Sequence, residues 1–177
     1  MNNPEIEEIY KQTFSGLVFF YRDTTLSEAL ISKYQIGQIL TERGFTDMSY
    51  KVGGLMTNCR YAIASAHARD LSAFNPDSKQ FGHVLLASNA CFKVLDIYKI
   101  GTKTQLFLLE IPAIAVDLFT NVTSNIENDL TKQARANFDT KINSEPIPEL
   151  QIQDWKERTE FPIGMNEKGV FFYNTVN

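Results

Sequence analysis

The segment from about residue 55 to residue 111 limits the possible fold of this chain most strongly. Cys59–His67 alternates in residue type, Val84–Tyr98 is apolar on both sides, and Gln105–Ile111 follows a short turn at 99–102. Such runs, bounded by turn residues, are typical of β-strands. The sequence therefore predicts a three-stranded antiparallel meander at the centre of a sheet.

Two helical patterns precede this predicted sheet. Pro4 suits the first turn of a helix, and apolar residues then recur at three- and four-residue steps over 4–21. The last five residues of that stretch could instead form a short strand. Thr25 and Glu28 have the spacing of a capping box, which predicts a second helix that ends before Gly44.

A later helix is predicted at about residues 124–142. Ser124 and Glu127 repeat the capping-box spacing. One apolar face follows at four-residue steps, formed by Ile126, Leu130, Ala134 and Phe138. Residues 112–123 either extend the preceding strand or begin this helix. The fold class is therefore predicted as α+β, an antiparallel sheet packed by N-terminal helices and by this later helix.

The chain 1–177 is interpreted as a single domain. Pro146 and Pro148 cannot continue a helix, so residues 143–177 are predicted to form an extended crossing followed by a C-terminal hairpin. This segment could also serve as an interaction arm, because an exposed aromatic strand would accept a partner strand.

The charge balance argues against nucleic acid as a partner. The chain has 17 basic and 21 acidic residues, which gives a net charge of −4, and its basic residues are scattered. The longest apolar stretch, 106–116, is far shorter than the roughly 20 residues that span a bilayer. No secretory signal is recognisable at the N-terminus. The chain is therefore expected to be cytoplasmic and without a membrane partner.

The sequence lacks the short motifs that announce common chemistry. It has no phosphate-binding glycine loop, no dinucleotide fingerprint, no paired-cysteine or zinc motif and no nucleophile elbow. No cofactor, no metal and no catalytic residue are therefore assigned. Glu110 lies in an apolar stretch and is interpreted as a strand-end residue that accepts hydrogen bonds, with a general acid as the alternative.

The two cysteines and two histidines occur in mirror order. Seven residues separate Cys59 from His67, and seven separate His83 from Cys91. If these segments were antiparallel neighbours, one register would place the histidines opposite each other on a semi-polar face. The candidate ligand-binding residues on this face are Tyr61, Ser65, His67, His83 and Asn89. A sixth candidate, Arg69, lies in the long loop predicted at about residues 68–81.

Two functions are consistent with these observations. The favoured one is a non-catalytic binding or protein-interaction domain, with an unknown protein partner or with a second copy in a homodimer. The alternative is a small-molecule-binding protein or small enzyme, with a pocket on the sheet face that carries His67 and His83.

Overall fold

The computed structural model describes residues 4–173, which form an eight-stranded sheet with helices packed against it. The strands are β1 (Val18–Thr24), β2 (Ile39–Thr41), β3 (Thr46–Ser49), β4 (Cys59–Ser65), β5 (Arg69–Asp70), β6 (His83–Leu86), β7 (Cys91–Ile100) and β8 (Lys103–Ile111). The helices are α1 (Pro4–Thr13), α2 (Glu28–Ile31), α3 (Pro76–Phe81), α4 (Val116–Phe119), α5 (Asn125–Lys141) and α6 (Gln153–Thr159), with short 3₁₀ turns at Ala113–Ala115 and Pro148–Gln151. A mixed α+β fold with a mostly antiparallel sheet is thus confirmed.

The strand order is β2-β7-β8-β4-β1-β3-β6-β5, and the predicted meander is only partly right. The β7–β8 hairpin forms as expected, but β4 pairs in parallel with β8 and antiparallel with β1. The apolar run 84–98 is not one strand. Asn89 adopts a left-handed φ of 65° between β6 and β7, and those two strands join different neighbours.

The mirrored register of the cysteines and histidines is wrong for the same reason. His83 lies opposite Ser49 in β3, and Cys91 lies opposite Thr41 in β2. Neither β6 nor β7 adjoins β4, so the two histidines do not form a cross-strand pair. Both cysteines are buried and free.

The N-terminal prediction fails in its second half. Helix α1 ends at Thr13, and Gly16, at a φ of 80°, leads into β1, so the strand alternative for residues 17–21 is correct. The second predicted helix is reduced to the four residues of α2, and β2 follows it. Ile39 and Leu40 are almost completely buried there, because pairing with β7 overrides the local helical preference.

The later helix is confirmed as α5. The Ser124 hydroxyl accepts a hydrogen bond from the Glu127 backbone, and the Glu127 carboxylate accepts one from the Ser124 backbone, which completes the capping box. Residues 112–123 neither extend the preceding strand nor begin α5. They contain a 3₁₀ turn and the separate short helix α4. No helix in the described part of the chain is long and apolar enough to cross a membrane.

The sheet divides two large apolar cores, and a third, smaller cluster joins Leu55, Phe138 and Ile142. One of the large cores contains Phe20, Met48, Phe92 and the C-terminal residues Ile163 and Met165. The other packs α1 and α5 against the sheet, through residues that include Tyr10, Phe14, Phe107, Phe119 and Ala134. The C-terminal part of the chain is therefore built into the first core.

The C-terminal part begins with a crossing over two glycines. The backbone N–H of Gly54 donates to Glu145 O at 2.9 Å as residues 144–147 pass over this pair. After α6, the chain turns back on itself through an isolated antiparallel bridge between Met165 and Phe171. That residues 143–177 act as an interaction arm stays a prediction, and positions 174–177 lie outside the described residues.

The crossing makes a prediction about stability. A Cβ atom at Gly54 would lie 2.0 Å from the carbonyl oxygen of Ser144, so the backbone would have to move apart. We expect Gly54→Ala to lower the free energy of unfolding by about 3 kcal/mol, as measured by urea denaturation. Gly44→Ala is the matched control, because no atom lies within 4 Å of its Cβ position. Equal midpoints for the two variants would show that the approach is not tight.

Candidate functional site

Arg22 is a buried charge in the middle of the sheet. It lies in β1, where buried and half-exposed residues alternate, and only 5% of its surface is exposed. Its Nη2 donates a 2.6 Å hydrogen bond to the carbonyl oxygen of Phe161. Two residues further along β1, the Thr24 hydroxyl donates to the carbonyl oxygen of Glu160 at 3.1 Å. The backbone at residues 160–161 therefore holds this side of the strand.

The guanidinium of Arg22 has no acidic partner. Within residues 4–173 no carboxylate forms an ion pair with it, and its buried Nε has no hydrogen-bond acceptor. Arg60 in β4 provides the contrast, since its Nε and Nη2 donate to the Asp23 carboxylate at 2.7 and 2.9 Å. Burial of an uncompensated charge costs free energy. The arrangement at Arg22 is typical of a site that an anionic ligand completes.

Arg22 lies in the wall of an open cavity of about 540 Å³. This volume falls within the range of small-molecule sites. Acidic and aromatic side chains line the same cavity; the acids are Glu42, Asp47, Glu157 and Glu167, and the aromatic residues are Phe45, Phe161 and Phe172. The lining suits a ligand that carries both charges and a flat ring.

Asp47 lines the same cavity and contacts His83. Its Oδ1 lies 2.6 Å from Nε2 of His83, and their side chains are 19% and 4% exposed. Nδ1 of the same ring lies 3.4 Å from the Ser78 hydroxyl, and the ring edge packs against Trp155. His83 is therefore held at both nitrogens, and the simplest assignment has Nε2–H donating to the Asp47 carboxylate.

Two buried tyrosines fix the C-terminal wall of the cavity. The Tyr34 hydroxyl donates to the carbonyl oxygen of Ile163 at 2.6 Å and lies 2.6 Å from the Tyr61 hydroxyl, which accepts from the Ile163 N–H at 3.1 Å. Burial raises the pKa of both phenols above its ordinary value. The tyrosines therefore stay neutral, and this wall is a fixed part of the fold.

A larger cavity, of about 720 Å³, adjoins the first one. Both are lined by Glu157, Phe161, Pro162 and Glu167, so this part of the chain separates them. Arg22 lines only the smaller cavity. We therefore place the candidate site in the smaller cavity.

The structure separates the six ligand-binding residues that the sequence suggested. Tyr61 is completely buried and holds the C-terminal segment, and His83 joins Asp47. Arg69 is exposed on β5, at the edge of the sheet. These three residues lie in different surroundings.

The remaining three residues lie around Glu110, at the end of β8. The carboxylate Oε2 accepts from the Ser65 hydroxyl at 3.3 Å and lies 2.8 Å from Nδ1 of His67. Asn89 and His67 line one cavity of about 200 Å³ together with Glu110. Glu110 is thus a strand-end acceptor, as expected. Within the described ranges, no group of three or more His, Cys, Asp or Glu residues could hold a metal ion.

Sequence reasoning misses Arg22 and Asp47, the two charged groups that define the candidate site. The adjacent pair Arg22-Asp23 resembles a surface ion pair, but neighbouring residues of a strand point to opposite faces. A usable signal exists in the alternation Phe20-Arg22-Thr24, which places a charge on the buried face. Asp47 has no comparable signal, since its partner His83 comes from another strand.

The chain was compared with known proteins. No protein-family model and no curated protein sequence matches it. Among solved structures, it is similar to the ADP-ribosyltransferase toxin Vis from Vibrio splendidus (20% identity over 55% of this chain and 50% of that chain, TM-score 0.44). It is also similar to the ADP-ribosyltransferase HopU1 of Pseudomonas syringae pv. tomato DC3000 (16% identity over 54% of this chain and 45% of that chain, TM-score 0.47). A third similar structure is exoenzyme S from Pseudomonas aeruginosa, in complex with human 14-3-3 protein beta and bound to carba-NAD. Its identity is 15% over 70% of this chain and 62% of that chain, with a TM-score of 0.48.

These matches correct the functional prediction. The favoured function was a non-catalytic binding or protein-interaction domain, whereas structures to which this chain is similar include enzymes. The chain spans about half the length of Vis and of HopU1. The alternative pocket with two histidines is wrong in its geometry, because His67 contacts Glu110 and His83 contacts Asp47.

Proposed function

We propose that this chain is an enzyme whose active site is the 540 Å³ cavity beside Arg22, and that it transfers the ADP-ribosyl group of NAD. The observation that carries the proposal is the buried guanidinium of Arg22, which has no carboxylate partner in residues 4–173. The other side chains of the cavity then decide which anion is the best candidate.

Phosphate is the anion that suits Arg22. A guanidinium presents its donors in a planar fork that matches phosphate oxygens, and such charge-assisted hydrogen bonds are stronger than neutral ones. Arg22 uses one donor on the Phe161 carbonyl, so its other donors remain for a ligand. The bond to Phe161 also limits rotation of the side chain, which reduces the entropy lost on binding.

The remaining lining suits the other parts of NAD. The nicotinamide ring of NAD carries a positive charge, and four carboxylates line the cavity together with Arg22 and Arg158. Phe45, which is 62% exposed, offers a flat apolar surface against which a ring can pack, whereas the Arg43 guanidinium already lies over one face of Phe172. One ligand with a diphosphate at one point and a cationic ring at another would use both kinds of charge. NAD is also the parent of the analogue bound in the exoenzyme S structure, but for this chain the proposal rests on its own residues.

Asp47 and His83 have complementary roles in the proposed reaction. The bond between C1′ of the ribose and the nicotinamide nitrogen breaks, and its electron pair leaves with nicotinamide. The positive charge that develops on the ribose is stabilised by the Asp47 carboxylate. An acceptor then bonds to C1′ and loses a proton. His83 donates to Asp47 at 2.6 Å and keeps the carboxylate oriented towards the cavity.

A protein is proposed as the natural acceptor, and water is the acceptor to test first. Release of nicotinamide from NAD reports cleavage of the C1′–N bond whatever accepts the ribose. We expect the purified chain to bind NAD and to release nicotinamide, which chromatography detects. Absence of both NAD binding and nicotinamide release would contradict the proposal.

Asp47 supplies a prediction within this assay. Asp47→Asn preserves the shape of the side chain but removes its charge, so we expect nicotinamide release to fall by about 100-fold or more in kcat. Arg69→Gln is the matched control for a charge change, because Arg69 is exposed at the sheet edge and lines none of the cavities described above. Equal losses in the two variants would show that the active site is elsewhere.

A further inference from the structure

We propose a second ligand site, for a small primary ammonium ion, in the 200 Å³ cavity formed around Glu110 and His67. This cavity shares no lining residue with the cavity beside Arg22. The inference therefore does not depend on the function proposed for Arg22.

The hydrogen-bond network around Glu110 leaves one carboxylate oxygen free. Ser65 Oγ accepts from the backbone N–H groups of His67 and Ala68 at 3.1 and 3.2 Å, so its own proton is directed to Oε2 of Glu110 at 3.3 Å. Oε2 also lies 2.8 Å from Nδ1 of His67. Oε1 has no hydrogen-bond partner among residues 4–173, although the Glu110 side chain is 90% buried. A carboxylate oxygen without a protein donor can still accept a hydrogen bond from a ligand.

The same network sets the orientation of the His67 ring. Oε2 already receives the Ser65 proton, so Nδ1 of His67 is the donor of the 2.8 Å bond. In the neutral ring, Nε2 is then left as an acceptor. Nε2 points away from the carboxylate that Nδ1 contacts, so one ligand cannot bind Nε2 and Glu110 Oε1 together. The cavity therefore offers one unpartnered acceptor, Glu110 Oε1.

The charge of the cavity favours a cation. Glu110 is the only carboxylate among the residues lining it in the described part of the chain, and no lysine or arginine is present. Its apolar wall consists of Leu86, Ala87, Ala90, Ile111 and Ala113. A ligand with one cationic head and a short alkyl chain would match both halves of the surface.

The single free oxygen of Glu110 distinguishes ammonium from guanidinium. A guanidinium binds a carboxylate best through both oxygens at once, but Oε2 of Glu110 is already used by Ser65 and His67. An ammonium group can direct one donor to a single oxygen without any need for the second, which suits Oε1 of Glu110. The small volume also limits the ligand to a short chain.

The two histidines of the chain make this site easy to observe. We would titrate the ¹⁵N-labelled protein with propylammonium and record the imidazole resonances of His67 and His83 by NMR. We expect His67 to shift and His83 to stay unchanged, with propylguanidinium binding several-fold more weakly. Propan-1-ol and propionate should leave both rings unchanged. Equal shifts of both histidines, or equal binding of propylguanidinium, would overturn the proposal.

Variants separate the site from a general effect of charge. Glu110→Gln should weaken propylammonium binding about tenfold or more, because the charge of the buried acceptor is lost. Asp70→Asn is the matched control, since it removes an exposed carboxylate that does not line the cavity, and its affinity should stay unchanged. If Glu110→Gln does not fold, Glu110→Asp replaces it, because the shorter side chain withdraws the carboxylate from the cavity and keeps His67 as the reporter. Undiminished binding in the folded variant would overturn the site.

Discussion

Replacing Arg22 by methionine is expected to reduce NAD turnover severely and to leave the protein at least as stable as before. The change removes the phosphate-binding donors, so kcat/KM for nicotinamide release should fall by about 1000-fold or more. Stability should be unchanged or should rise by up to about 2 kcal/mol, because a buried charge without a carboxylate partner is replaced by an apolar side chain of similar length. Opposite signs for activity and stability are the signature of a residue retained for function.

Two measurements check this expectation. Nicotinamide release gives the kinetic loss, and urea denaturation gives the free energy of unfolding. Arg22→Lys is the useful companion variant, because it keeps the charge without the planar fork, and we expect a smaller kinetic loss. A marked loss of stability in Arg22→Met would mean that the guanidinium is a structural group.

Replacing Arg60 by methionine is expected to have the opposite outcome for stability. Arg60 is 1% exposed, donates twice to Asp23 and donates once more to the Gly53 carbonyl at 2.8 Å. Its loss leaves the Asp23 carboxylate partly buried without its partner, which should lower the free energy of unfolding by about 3–5 kcal/mol.

A double-mutant cycle with Asp23→Asn isolates this pair. We expect the two single changes to be strongly non-additive, because each one removes the same interaction. Urea denaturation of the wild type, the single variants and the double variant gives the coupling energy. Additive losses would contradict the paired geometry. Arg22 and Arg60 would then no longer differ in the way that makes Arg22 a candidate ligand-binding group.

Local signals in the sequence identified some elements correctly. The capping box of Ser124 and Glu127 lies within one helical turn, and the β7–β8 hairpin is set by the short turn at 99–102. In both cases the residues that determine the structure are close together in the sequence. Helix α5 and this hairpin could therefore be predicted without knowledge of the rest of the fold.

Elements that depend on distant pairing were not predictable in the same way. Strand β2 has only three residues, and its pairing with β7 joins Leu40 to Phe92. Strand β4 alternates as expected, but no local pattern specifies that β8 lies beside it in parallel. The mirrored spacing of cysteines and histidines suggested a pairing that Asn89 prevents by its turn between β6 and β7.

The candidate site was hidden for a related reason. It joins Arg22 and Asp47, from different strands, to the backbone carbonyl of Phe161. The position of a backbone carbonyl cannot be predicted from a pattern of residue types. Ser65 and His67 both contact Glu110, and Glu110 comes beside them through the parallel pairing of β4 with β8. The sequence therefore indicated more of the residues around Glu110 than of those beside Arg22.

A crystal structure of the chain with NAD tests the central claim most directly. The account predicts that the diphosphate lies within hydrogen-bond distance, about 3 Å, of the Arg22 guanidinium, and that the nicotinamide ribose faces Asp47. NAD bound elsewhere, with Arg22 still donating only to the Phe161 carbonyl, would contradict the account.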